Sequence, residues 1–230
     1  MADAGDSHAE ARTEILNTLI LQYWKPCYYY LLRAGHTHDD ACDLVQGFFA
    51  KALEKNLFQG ANPTRGRFRT LLLTALNNYR KNVHRDRLAA IRCPAAGLVS
   101  LDELTEGDNF HFEPHDEETP ETLFNRAWAA TVVQHVLKAF ERYCQDTGKP
   151  EHYTIFRERM VRPTLEGSTP PPLRDLAESL GLSEKQAANC LITGRRIFQK
   201  LLLGEIRQYL PSDQESIEEI QELMGLLYRA

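Results

Sequence analysis

The 230-residue chain is 43% apolar and 26% charged with a formal net charge of −5, a composition that suits one large folded domain or two small helical ones. Its longest apolar runs, such as 71–73, are far too short to span a bilayer, and the opening MADAGDSHAE lacks the basic start and apolar core of a secretory signal. The five cysteines (Cys27, Cys42, Cys93, Cys144, Cys190) are scattered, odd in number and without a C-x-x-C pair. That pattern argues against a disulfide framework or zinc site and for a reducing compartment, so the expected setting is the cytoplasm with no metal or cofactor.

In chain order the pattern is helical almost throughout, and the expected fold class is all-α. Residues 9–32 are apolar-rich, with Trp24 and the Tyr28–Tyr30 cluster, and Pro26 is expected to break them into two helices. Asp39 or Asp40 is placed to cap a helix over 40–55, in which Ala41, Leu44, Val45, Phe48, Phe49 and Ala52 follow the 3.6-residue repeat. A loop at 59–64 carries Gly60 and Pro63. The next helix is expected to bury Phe68, Leu72, Ala75, Tyr79 and Val83, leaving Asn77, Arg80, Lys81 and His84 on the other side. Residues 89–120 show no sustained period and read as a linker. Helices resume over 123–144 and near 152–162, followed by the Pro-rich STPPP.

The stretch LRDLAESLGLSEKQAANCLITGRRI has helix-turn-helix spacing. Leu173, Leu176, Ala177 and Leu180 pack its first helix, Gly181 permits the turn and Ser183 is the natural N-cap of the second helix. Along that second helix Ala187, Leu191, Gly194 and Phe198 point inward. Lys185, Gln186, Asn189, Ile192, Thr193, Arg196 and Lys200 point outward, where a major groove can receive them. A helical hairpin that never meets DNA has the same spacing. After Pro211, Ile217, Ile220, Met224 and Leu227 form an apolar stripe opposite Glu215, Glu218, Glu219 and Glu222, a short amphipathic helix in need of a partner surface.

The charge is unevenly spread. Residues 1–98 hold 13 Lys+Arg against 9 Asp+Glu, 99–122 hold none against nine, 123–210 return to 13 against 9, and 211–230 hold one against five. Two basic modules separated by an acidic connector suit a protein that touches a polyanion in two places, although charge runs are also ordinary solvated faces. No catalytic constellation competes, so the chain is not expected to be an enzyme. His36-x-His38 and His111-x-x-x-His115 lack a well-placed third ligand, and 60–66 lack the G-K-[ST] ending of a phosphate-binding loop.

These motifs together resemble an extracytoplasmic-function sigma factor, the compact two-domain class of bacterial RNA polymerase specificity subunits. DACDLVQGFF is similar to the family's D-A-E-D-L-V-Q-E-x-F segment, and FRTLLLTALNNY to its F-R-x-W-L-x-x-I-A-x-N stretch. The helix-turn-helix is similar to the family's last domain, and the likeness covers about 10–90 and 123–207 in the right order. The resemblance implies a region 2-like domain over 1–90, an acidic linker over 91–122, a region 4-like domain over 123–210 and a C-terminal amphipathic helix over 211–230. It implies that Asp40, Asp43 and Gln46 bind core RNA polymerase. The minus-ten promoter element would fall to Asn62, Arg65, Arg67, Asn77, Asn78, Arg80, Lys81 and Arg85, within the flipped-base loop and the basic helix that follows. The minus-thirty-five element would fall to Lys185, Gln186, Asn189, Thr193, Arg195, Arg196 and Lys200. An anti-sigma or other inhibitory protein is implied as a partner, and no membrane insertion.

The chain departs from the family pattern at Cys42 and Gly47, where two acids are replaced, and at Ala188, Cys190, Ile192 and Thr193, where basic or polar groups are usual. Two other readings therefore stand beside the first. One is a helix-turn-helix regulator without polymerase contact. The other is a sigma-like module sequestered in a regulatory complex.

Overall fold

The computed structural model describes residues 20–55, 57, 68–89, 118–166, 168–207, 218–221 and 223. The protein is all-α, with no strand among these residues. None of its described helices is long and apolar enough to cross a membrane. The chain divides into two compact units, Met1–Trp128 and Ala129–Ala230.

The first unit is built from α1 (20–33), α2 (His38–Glu54), α3 (Phe68–Ala89) and the first part of α4 (Pro120–Asp146). Pro26 does not break α1, contrary to the sequence expectation: the helix is continuous over 20–33. Proline inside a helix costs about 3 kcal/mol. Here Tyr23, Trp24, Cys27, Tyr30 and Leu31 are all buried around it, and each large apolar side chain returns about 1.5–3 kcal/mol. Burial wins over propensity.

The cap of α2 lies two residues before Asp39 and three before Asp40, the two expected caps. Thr37 is the N-cap, its Oγ1 accepting from the Asp40 N–H at 3.2 Å. Asp39 and Asp40 then sit in the first turn, where carboxylates complement the helix dipole. The buried face of α2, Ala41, Leu44, Val45, Phe48, Phe49 and Ala52, is the one that its period marks.

α3 is rotated from expectation. Its buried residues are Arg69, Leu72 and Leu76, while Phe68, Ala75, Tyr79 and Val83 are only half-buried. Arg69 is 4% exposed, its guanidinium stacked 4.1 Å from the Trp128 ring centroid and donating to Asn125 Oδ1 at 2.9 Å. Both partners lie on α4, so a buried cation helps to fasten α3 to α4.

α4 starts three residues before the expected Leu123. The Thr119 hydroxyl accepts the Thr122 N–H at 3.2 Å and Pro120 fills the first helical position, where its missing N–H costs nothing. Two of the acids assigned to the linker are thereby used in the fold. Glu118 pairs with Arg126 at 2.6 Å, and Glu121 Oε1 lies 3.4 Å from the Tyr30 hydroxyl. The rest of the linker, 91–117, lies outside the described residues. Residues 127–133 of α4 are buried without interruption, as a charge-free AWAATVV requires. The division between the two units falls inside this stretch, six residues past the position where the sequence placed the second module's start.

The second unit continues with α5 (Pro150–Phe156), a π-helical turn (Arg157–Val161), α6 (Arg162–Glu166), α7 (Leu173–Ser179) and α8 (Glu184–Arg207). The wide turn has a local cause. Pro163 cannot donate a hydrogen bond and its ring crowds the carbonyl four residues back, and the Arg162 N–H reaches Arg157 O, five residues back. Arg159 on this turn donates to the carbonyl of Pro171 at 2.6 Å, which holds the Pro-rich segment ahead of α7.

α7, the turn and α8 form the expected helix-turn-helix. Gly181 takes φ +66°, a conformation that side chains resist, and lets the Leu182 N–H reach Ala177 O at 2.8 Å. Ile155, Ala177, Ala187 and Cys190 form the local core, with Leu173, Leu182 and Leu191 against it. Leu180 is not part of that core; it is 36% exposed. Deeper in the unit, Phe156 packs on Phe198 with the rings tilted by 31° and centroids 5.0 Å apart, and meets Phe140 edge-on at 5.4 Å. Gly194 sits over this cluster, where an added Cβ would press on His152 O at 3.1 Å. In the tail, 218–221 and 223 are helical, and Glu219, expected on the acidic side, is buried together with Leu223. These two are one turn apart and share a face that the expected stripe did not include.

Candidate nucleic-acid interface

The outer side of α2 is acidic. Opposite its buried face, Asp39 and Asp43 are exposed and Gln46 is half-buried, at the i, i+4, i+7 spacing that aligns them. Asp40 stands apart from this row on the helix flank, and its Oδ2 accepts from the Thr37 hydroxyl at 3.0 Å. The two departures at this helix have different surroundings. Cys42 is half-buried, with Sγ 3.9 Å from His38 Nε2, while His38 Nδ1 lies 2.7 Å from the Tyr28 hydroxyl. His38 is thus held by neighbours of its own. Gly47 lies under the Tyr79 hydroxyl, which occupies the place where a Cβ would go. An acid at 47 cannot coexist with this seating of α3 on α2.

The outer side of α3 is basic. Asn78, Lys81 and Arg85 are exposed at i, i+3 and i+7 and form a continuous row with Thr74. Arg80 does not join them; it is half-buried toward the core side because the helix is rotated. Asn77 is also withdrawn from the row, its Nδ2 donating to the Tyr30 hydroxyl at 2.8 Å. Of the eight residues expected at the minus-ten element, Asn78, Lys81 and Arg85 share the outward row. Arg80 and Asn77 flank or support it, and Asn62, Arg65 and Arg67 lie outside the described residues.

Along α8 the outward side is polar and separate from the core. Lys185, Asn189, Thr193, Arg196 and Lys200 are exposed on one side, with Ile192 49% exposed among them. Ala187, Cys190, Gly194, Phe198, Leu202 and Ile206 are buried on the other. Cys190 therefore is no departure from a groove-facing pattern, because it faces inward. Gln186 is exposed but engaged: its Oε1 accepts from the Ser183 N–H at 2.8 Å and the Ser183 hydroxyl at 2.7 Å, closing a capping box with the Gln186 N–H returned to Ser183 Oγ. Arg195 leaves the row too, its Nη2 lying 3.0 Å from Met160 Sδ.

The interior groups respond to burial. The thiols of Cys144 and Cys190 are pushed up by desolvation, each with a smaller push from the Glu151 carboxylate, and a backbone hydrogen bond at Tyr153 partly offsets the rise for Cys144. The Glu205 carboxyl, half-buried near the end of α8, is raised by desolvation. The contacts that no sequence pattern led to are those of Arg69 with Trp128 and Asn125 and of Asn77 with Tyr30. One signal was present: Arg69, Leu72 and Leu76 lie at i, i+3, i+7, so an arginine inside an apolar row was there to be read.

No family model, curated protein or solved structure matches this chain.

Proposed function

We propose that the chain is an RNA polymerase sigma factor of the extracytoplasmic-function class, acting in the cytoplasm and without enzymatic activity. The observation that carries this reading is in the first unit. Two helices in contact, α2 and α3, turn an acidic row (Asp39, Asp43, Gln46) and a basic row (Asn78, Lys81, Arg85) outward. A polymerase clamp and a melted DNA strand are the two surfaces such a pair suits. A cationic row tracks a single-strand backbone, and phosphate contacts offset the cost of opening a duplex. The helix-turn-helix adds a rigid helix whose polar side is free of core duties, as duplex reading in the major groove needs. The acids of 91–122 and the tail are then segments where an inhibitory protein or the polymerase itself engages the factor.

The test separates recruitment from melting. Lys81→Ala with Arg85→Ala removes the exposed cations and spares the half-buried Arg80. The double variant is expected to co-purify with core polymerase yet fail to open promoters, seen as lost permanganate reactivity of unpaired thymines. A template already mismatched across the minus-ten region restores transcription in part. Promoter opening at the parental level by the folded double variant overturns the assignment of this row. Absence of co-purification for the parental chain favours the helix-turn-helix regulator, since α7 and α8 can contact DNA without α2.

A further inference from the structure

Away from both outward rows, the start of α5 and the inner side of α8 bring together three side chains of metal-binding type. Oxygen, nitrogen and sulfur ligand atoms from Glu151, His152 and Cys190 all lie within 4.8 Å of one another. Cys190 is 8% exposed, and the His152 and Glu151 side chains are 13% and 31% exposed. His152 Nδ1 is shut off from solvent and makes no hydrogen bond, with Glu151 Oε1 3.4 Å away. A buried ring nitrogen left so is unfavourable, and an ion is one of the few things that satisfies it.

We propose that Glu151, His152 and Cys190 form a Zn2+ site that staples α5 to α8. Thiolate, imidazole and carboxylate are the three donor types that zinc accepts, and the mixture excludes the all-oxygen preference of Mg2+ and Ca2+. Bonds of about 2.0–2.3 Å in a tetrahedron separate ligand atoms by about 3.5 Å, so closing from 4.8 Å needs about 1 Å of movement. The partly exposed Glu151 side chain can supply it. Binding displaces the thiol proton of Cys190 to solvent, while His152 binds as the neutral imidazole. The two positive charges of the metal are then matched by one thiolate and one carboxylate. A fourth position goes to water. Zinc so placed clamps the inward face of α8 behind Lys185, Asn189 and Arg196, and makes the packing of that helix sensitive to zinc supply and thiol oxidation. The spacing conceals the site in the sequence: Glu-His are adjacent and Cys190 comes 38 residues after His152.

The experiment uses the full chain stripped with a chelator and titrated with Co2+ as a spectroscopic probe. One equivalent is expected to give a thiolate-to-cobalt charge-transfer band with tetrahedral d–d bands, lost on adding Zn2+. Cys190→Ser should abolish the charge-transfer band, and Glu151→Gln should keep the band while weakening zinc at least about tenfold. Cys27→Ser, Cys42→Ser and Cys144→Ser should change neither. An unchanged band in Cys190→Ser overturns the proposal, as does the absence of stoichiometric cobalt uptake. Because Glu151 is partly exposed, its variant is expected to fold, checked by circular dichroism; parental zinc affinity in folded Glu151→Gln also overturns it.

Discussion

α3 and α8 are both helices with a polar outward row, yet they are held in place by different chemistry. α8 keeps its duties apart: small and apolar residues at 187, 190, 194, 198, 202 and 206 pack, and the polar residues on the far side have no part in the core. α3 mixes them. Arg69 and Asn77, which on α8 would be surface residues, are the ones that bond α3 to α4 and α1 through Trp128, Asn125 and Tyr30. The lesson is that the outward polar residues of α8 outside Gln186 and Arg195 are open to a binding role, whereas polar residues in α3 must first be checked for structural partners. Substitutions centred on four positions can break or sharpen that contrast.

The largest effect is expected at Arg69. Arg69→Ala leaves the half-buried Asn125 amide short of a partner and the Trp128 face uncovered, and should destabilise the first unit by about 2–4 kcal/mol. Arg69→Lys should recover little, because an ammonium cannot stack and donate as the planar guanidinium does. Urea unfolding followed by far-UV circular dichroism, which sees the helices of both units, measures both. Arg196→Ala on α8, in the same assay, should leave unfolding unchanged. Equal effects at the two arginines would erase the distinction between the helices.

Next comes the seat of α3 on α2. Gly47→Ala places a methyl group where the Tyr79 hydroxyl lies, and overpacking of this kind costs about 1–3 kcal/mol. Tyr79→Phe removes that oxygen, so the pair of changes should be more stable than Gly47→Ala alone, read as a coupling in a double-mutant cycle. The ring carbon behind the hydroxyl stands 3.4 Å from the added Cβ, which a small shift of α3 can absorb. Additive losses would mean that the hydroxyl is not what excludes a side chain at 47.

The same contrast explains what was legible in the sequence. The all-α class, the burial pattern of α2 and the turn at Gly181 follow from period and from one residue's backbone freedom, both local properties. The inward set of α8 was largely visible for the same reason, with Cys190 the exception because a cysteine can be read as small and apolar or as polar. Pro26, Arg69 and Asn77 could not be placed by local rules. Each takes its position from partners 40 or more residues away, or, for Pro26, from the burial around it, and tertiary contacts of that kind leave no periodic trace. At the outward rows the error was mostly one of angle: the 40° or so by which α3 is turned moves Arg80 toward the core and leaves Lys81 and Arg85 outside.

Gln186 tests the row on α8 from within. Its side chain is committed to Ser183, so Gln186→Ala should lower stability by about 0.5–1 kcal/mol through loss of the capping box. It should not change the salt dependence of promoter binding. Arg196→Ala and Lys200→Ala should do the reverse, each lowering the salt slope by about one phosphate equivalent. A slope change in Gln186→Ala would put this residue back at the groove. Unchanged slopes in both cationic variants would remove α8 from DNA altogether.

The smallest effect is expected at Glu205, where α8 itself departs from the clean separation. Burial of about half of its carboxyl raises the folded-state pKa above the unfolded value, so the folded state favours the protonated acid. For an acid shifted upward, the stabilising contribution is fully present below the unfolded pKa and is lost as pH rises through the folded one. At neutral pH the ionised group is therefore a net burden, reduced by its remaining contact with water to a few tenths of a kcal/mol. Glu205→Gln keeps the shape and hydrogen-bonding oxygen and removes the charge. It should raise the unfolding midpoint slightly at pH 7, and the difference from the parent should shrink to nothing as pH falls below the ordinary carboxylate range. A variant less stable than the parent at pH 7 would mean that the charge of Glu205 is matched by a cation strongly enough to outweigh desolvation. In that case the end of α8 is held, like α3, by a charged contact and not by packing alone.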